Sequence, residues 1–190
     1  MLVIQNELGI NSGGTDMQIG GTEPGAGNLI SGNGFHGLSL GSRNTAQGNL
    51  IGTDITGLAV LHNGGIGIGI SGSDNLVGGF TPEARNLISG NTGYGLTVGG
   101  GGAVSNRIVG NWIGVDITGT NILGNNGSEP APCGTAIYLF SDADENIVGG
   151  AEPGAGNVIS GNHLGLFIVS SRNKVQGNLI GTDPTGTISI

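Results

Sequence analysis

Residues 27–57 read GNLISGNGFHGLSLGSRNTAQGNLIGTDITG, and the motifs of this stretch organise the whole chain. Its first phrase, GNLISGN at 27–33, returns as RNLISGN at 85–91 and GNVISGN at 156–162. Its last, GNLIGTDITG at 48–57, returns as GNWIGVDITG at 110–119 and GNLIGTDPTG at 177–186. IGG or VGG precedes the first phrase each time, at 19–21, 77–79 and 148–150, and the order never changes. Asn44, Asn75, Asn106, Asn146 and Asn173, with Met17 in the equivalent place, open finer units of two alternating kinds. One kind carries an insertion after the glycine pair (TEPGAG, FTPEAR, AEPGAG). The other carries GTDITG, GVDITG or GTDPTG after a second Asn.

Without these insertions a common core remains: three short apolar stretches of period two, punctuated by Gly and Asn. Such stretches are too short for helices and read as strands. Composition agrees. Forty-three Gly and 6 Pro in 190 residues would suggest disorder on their own, yet 36% of the residues are hydrophobic and only 9% charged, so the chain is expected to fold. Gly, Asn and β-branched residues are all poor helix formers. Three strands per unit, each unit resembling the next, predict a solenoid whose strands pair in parallel with their equivalents in neighbouring coils.

The motif set resembles the right-handed parallel β-helix repeat proteins, the pectate-lyase-like solenoid superfamily with its bacterial surface-type repeats, over essentially the whole chain. The expectation is an all-β, single-stranded right-handed parallel β-helix of about six coils without helices of note, formed by residues 1–190 as one repeat domain. The resemblance implies fold more than function, because such solenoids include polysaccharide lyases, epimerases, surface proteins and chains without activity. Ile30, Ile51, Ile88, Ile113, Ile159 and Ile180 occupy equivalent places and are expected to fill the lumen. The Asn at unit starts are expected at corners, in left-handed backbone conformations, with side-chain amides bonded from coil to coil.

Few residues are arranged for chemistry. Asp54, Asp116 and Asp183 recur as D-x-T-G two coils apart, a spacing of roughly 9.6 Å at about 4.8 Å per coil, too wide to share one ion. They are read as turn acceptors, with a calcium or sugar site on that edge as the alternative; no other cofactor is implied. Asp142, Asp144 and Glu145 crowd one turn with no cation near in sequence, and are read as an exposed solubilising turn. His36, His62 and His163 fall at unequal places and are read as surface turn histidines. Arg43 and Arg172 stand in matching SRN turns, Arg85 in an insertion, and Arg107 and Lys174 just after unit-opening Asn. Trp112 replaces Leu50 and Leu179 in its motif, which suggests packing, with sugar stacking as the alternative. One Trp and two Tyr are too few to line an aromatic cleft, and ice binding lacks the T-x-T ladders it needs.

Thirteen acidic against 5 basic residues give a net charge of −8, which argues against nucleic acid as a partner. No apolar run approaches the roughly 18 residues that span a bilayer, so membrane insertion is not expected. MLVIQNELGI lacks the basic start and apolar stretch of a signal peptide, so an exported protein would contain this chain as a mature segment or fragment. The lone Cys133 allows no internal disulfide. The two terminal stretches read as complementary halves of one unit, neither resembling a cap, which suggests a segment of a longer solenoid or copies stacked head to tail. The functional expectation is a non-enzymatic structural or adhesive module, extracellular or at the cell surface, with itself and polysaccharide as candidate partners. The alternative is a carbohydrate-active lyase or epimerase fragment or a glycan-binding domain.

Overall fold

Each short apolar stretch becomes a strand of two to five residues in the computed structural model, which describes residues 5–125 and 134–190. Cys133 lies outside them. The first coil contributes β1 (Ile10–Ser12), β2 (Gln18–Gly20) and β3 (Leu29–Ile30). The second has β4 (Leu38–Leu40), β5 (Thr45–Gln47) and β6 (Leu50–Ile51), and the third β7 (Ile68–Ile70), β8 (Leu76–Gly78) and β9 (Leu87–Ile88). The fourth has β10 (Leu96–Val98), β11 (Arg107–Val109) and β12 (Trp112–Ile113), and the fifth β13 (Thr135–Leu139), β14 (Ile147–Gly149) and β15 (Val158–Ile159). The sixth closes with β16 (Leu164–Ile168), β17 (Lys174–Gln176) and β18 (Leu179–Ile180). Among the described residues the helical content is one 3-10 turn, Pro82–Ala84.

The strands form three parallel six-stranded sheets, each taking one strand from every coil. This is a parallel β-helix of six coils. Register is set by columns of identical role: Ile30, Ile51, Ile88, Ile113, Ile159 and Ile180 pair in succession along one sheet. A second column runs Ile10, Leu38, Ile68, Leu96, Ile137, Leu166. The first five isoleucines of the first column are buried, whereas Ile180, in the last coil of the described residues, is 49% exposed.

Between the sheets run three columns of asparagine amides. Asn6, Asn33, Asn63, Asn91, Asn125 and Asn162 precede the strands of the first sheet, each Nδ2 donating to Oδ1 of the next at 2.7–3.3 Å. Asn28, Asn49, Asn86, Asn111, Asn157 and Asn178 do the same before the third sheet, at 2.8–3.1 Å. The unit-opening column begins with the Met17 N–H donating to Asn44 Oδ1 at 2.9 Å and the Asn44 N–H to Asn75 Oδ1 at 2.8 Å. It then runs amide to amide through Asn75, Asn106, Asn146 and Asn173.

One expectation is corrected. The ladder asparagines are not left-handed; at many rungs the residue before them is. Asp16, Arg43, Asp74, Ser105, Glu145 and Arg172 have φ of 56–61° immediately before the unit-opening column. In the other two columns Gly takes that place at Gly32, Gly48, Gly90, Gly110, Gly161 and Gly177, whereas Arg85 before Asn86 keeps an extended backbone at φ −63°. The sharp bend at the preceding residue leaves the Asn side chain aligned with the stack. Glycine is also required where coils approach most closely, since a Cβ on Gly52 would collide with the Ser89 carbonyl oxygen.

The register predicts unequal costs for one substitution made at two points of the same column. Ile88→Ala should lose about 2–5 kcal/mol, from burial and the cavity left behind. Ile180→Ala should lose under about 1 kcal/mol. Urea unfolding of both variants checks this, and equal losses would show the column to be misassigned.

Candidate functional site

The GTD loops leave the third sheet in the second, fourth and sixth coils, and each is closed by one antiparallel bridge: Thr53 with Val60, Val115 with Ile122, Thr182 with Ser189. Inside each bridge a carboxylate gathers donors from its own loop. Asp54 accepts from the Thr56 hydroxyl at 2.8 Å and from the Leu58 and Ala59 N–H groups at 3.2 Å. Asp116 accepts from the Thr118 hydroxyl and the Asn121 amide, both at 2.7 Å. Asp183 accepts from the Thr185 hydroxyl at 2.7 Å and from Thr187 and Ile188 N–H. The Thr hydroxyls hold the Asp54 and Asp183 pKa values below the ordinary carboxylate range. For Asp116 burial pushes upward, but the bonds from Asn121 and Thr118 prevail and its pKa is also lowered. Each carboxylate stays with its own loop, and among the described residues no three His, Cys, Asp or Glu side chains are grouped to hold a metal ion.

Space supplies the acidic turn with the cation that sequence did not. Arg172, 27 and 28 residues further on, binds Glu145 Oε1 and Asp144 Oδ2, both at 2.9 Å, and the Ser171 N–H donates to Asp144 Oδ1 at 2.7 Å. Asp144 is therefore a coil-to-coil tie, with its side chain only 19% exposed, and not a purely solubilising group. Arg43 makes the same kind of contact between the first and second coils, gripping Asp16 with Nε and Nη2 at 2.9 Å. Nor is His36 a simple surface histidine. Burial pulls its pKa down, its Nδ1 accepts from the Ile66 N–H at 3.0 Å, and it stacks on Phe35.

The sequence reading also missed how the aromatics gather. Tyr138 stacks against Tyr94, Phe140 and Phe167 with ring centroids 4.8–5.4 Å apart on the outside of the first sheet. The period-two pattern, by which Thr97, Tyr138 and Phe167 take the outward place of paired strands, was the available signal. A second group lies in a 590 Å³ groove between the insertions and the GTD loops. In it the Arg85 guanidinium lies 4.0 Å over Trp112, and Arg107, outside the lining, lies 5.4 Å over Phe80 and 4.0 Å from Glu152. Nε of both arginines is buried without a hydrogen-bond partner among the described residues, and burial pulls the Arg85 pKa down against the field of Glu83.

No protein-family model matches this chain, and neither the curated proteins nor the solved structures contain a match to it. The functional reading therefore stands on the residues.

If the three aspartates are turn acceptors, EDTA leaves the melting temperature unchanged, since there is no bound ion whose removal would destabilise the fold. Their contribution instead follows acid. With folded pKa values depressed, the stability they supply is complete above the unfolded value of about 3.9 and is lost as pH falls through the folded values. Melting curves from neutral to acidic pH should therefore fall less steeply for Asp116→Asn than for the wild type. A drop with EDTA that calcium restores would reassign this edge to metal.

Proposed function

We propose that the chain is a non-catalytic structural module: a stiff β-solenoid rod that serves in an extracellular or cell-surface assembly. One observation carries this reading, the run of asparagine columns from coil to coil, two of them through all six coils and the third from the second coil to the sixth, which spends interior polar groups on holding coil to coil. The residues best suited to chemistry are likewise committed. Asp54, Asp116 and Asp183 close loops, and Arg43 and Arg172 tie neighbouring coils. A rod of this kind works through length, stiffness and surface.

A second reading, binding of an acidic glycan, is favoured by the groove lined by Arg85, Phe80 and Trp112. Arg85 lines it and Arg107 lies over its Phe80, two of the chain's five Lys and Arg side chains beside two aromatic faces in a protein of net charge −8.

Purified protein should release no product from a panel of neutral and uronate polysaccharides. Because Trp112 is the single Trp, its emission reports on the groove, and it should stay constant as the same polysaccharides are added. Product formation would overturn the structural reading. A saturable emission change lost in Arg85→Ala would replace it with the second.

A further inference from the structure

The arginines of this chain are not used alike. Arg43 and Arg172 each grip acids of the neighbouring coil at 2.9 Å, and Arg107 lies 4.0 Å from Glu152. Arg85 has no carboxylate so close, and its guanidinium donors meet no hydrogen-bond acceptor among the described residues. Glu83, two residues before it, acts on it through its field without bonding it. The Arg85 Nε is buried without a partner, which leaves the Nη groups to the groove that this side chain lines.

The arrangement belongs to one insertion. Gly27 and Gly156 hold the place of Arg85 in the first and fifth coils, where a Cβ would collide with the carbonyl oxygens of Gly48 and Gly177. The third-coil insertion, which folds into the 3-10 turn Pro82–Ala84, is the one of the three with a side chain at that place. The residue that faces it changes too, since Trp112 of the fourth coil stands where the second and sixth coils carry Leu50 and Leu179. With the guanidinium 4.0 Å over the indole, stacking fixes its plane and uses none of its N–H groups. The pair therefore holds a half-buried charge in one orientation with its donors uncommitted.

The surroundings select the anion. Phe80, which is 41% exposed, lines the groove with Pro82 and Trp112, so one wall is apolar. Glu152 lines it as well, and in a chain of net charge −8 the carboxylates of Glu83 and Glu152 repel a dianion more than a monoanion. Arg85 has already given up part of its hydration, so its partner must shed water too, a cost that is smallest for an anion of diffuse charge. A sulfate monoester spreads one charge over three oxygens and brings an organic group to the apolar wall. We propose that Arg85, laid on Trp112, is a receptor for an organic sulfate monoester, its Nη groups bonding the sulfate oxygens while the organic group lies along Phe80 and Pro82. This goes beyond both readings above, because a rod that cleaves nothing and binds no uronate can carry such a site.

Titration of the 190-residue chain with methyl sulfate at constant ionic strength tests it, with Trp112 emission and the melting temperature as independent readouts. The expected result is a saturable emission change together with a rise in melting temperature. Acetate and inorganic sulfate should bind at least about fivefold more weakly. Arg85→Gly, which installs the residue found at positions 27 and 156, should keep the wild-type circular dichroism and lose both responses. Arg85→Lys keeps the charge without the flat fork and should bind methyl sulfate about fivefold more weakly. No response to methyl sulfate, an equal response to acetate, undiminished binding by Arg85→Lys, or a response that survives Arg85→Gly would overturn the inference. Emission that answers polygalacturonate and not methyl sulfate would overturn it in favour of the acidic-glycan reading.

Discussion

A buried amide that must both give and receive is the constraint on which this fold depends. Asn86 is fully buried, yet its Oδ1 accepts two bonds from Asn49, and its Nδ2 donates to Asn111 Oδ1 and to the Ala46 carbonyl at 2.8–2.9 Å. Such a side chain is fully satisfied only when the coils before and after it stand at the right height and rotation. A hydrogen bond nets only about 0.5–1.5 kcal/mol, but leaving a buried polar group unpaired costs about 1–3 kcal/mol. The columns therefore act as a gauge more than as glue, since a coil out of register leaves a whole rung unsatisfied.

This gauge explains what the repeat keeps and what it lets vary. Asn rungs and the residues that fill the lumen recur in every coil, because each must meet its equivalent above and below. Loops that leave the stack are free to differ in length and chemistry. Thr81–Arg85 can hold a 3-10 turn where the equivalent stretch at 151–156 carries EPGAG, because both return an alanine carbonyl to the equivalent glycine one coil earlier, Ala84 to Gly48 and Ala155 to Gly110. The same freedom lets Arg85, Trp112, Tyr138 and Phe167 accumulate on the outside without disturbing the core.

Sequence conveyed the solenoid, its coil number and the lumen column of Ile30 through Ile159, because those features lie in local period and in phrases that repeat almost verbatim. Contacts between coils were harder to read. Only the unit-opening asparagines stand out in the sequence as a ladder, although those of the SGN and GN phrases form two further columns. Arg172 stood 27 residues from Glu145 and could not be paired with it by proximity along the chain. The left-handed corner fell on the residue before Asn, where Arg43, Ser105 and Glu145 give no compositional hint of a positive φ. In a solenoid the neighbour in space is one coil away, and only the coil height, which no short window contains, reveals it.

The central claim, that directional amide ladders hold the coils in register, is tested most directly at Asn86. Asn86→Asp keeps shape and acceptors but removes both donors, setting an oxygen against Asn111 Oδ1 and against the Ala46 carbonyl. Equilibrium urea unfolding at neutral pH should show a loss of about 3–5 kcal/mol, or no folded protein at all. A variant within about 0.5 kcal/mol of the wild type would contradict the account and leave the apolar lumen as the sole source of register.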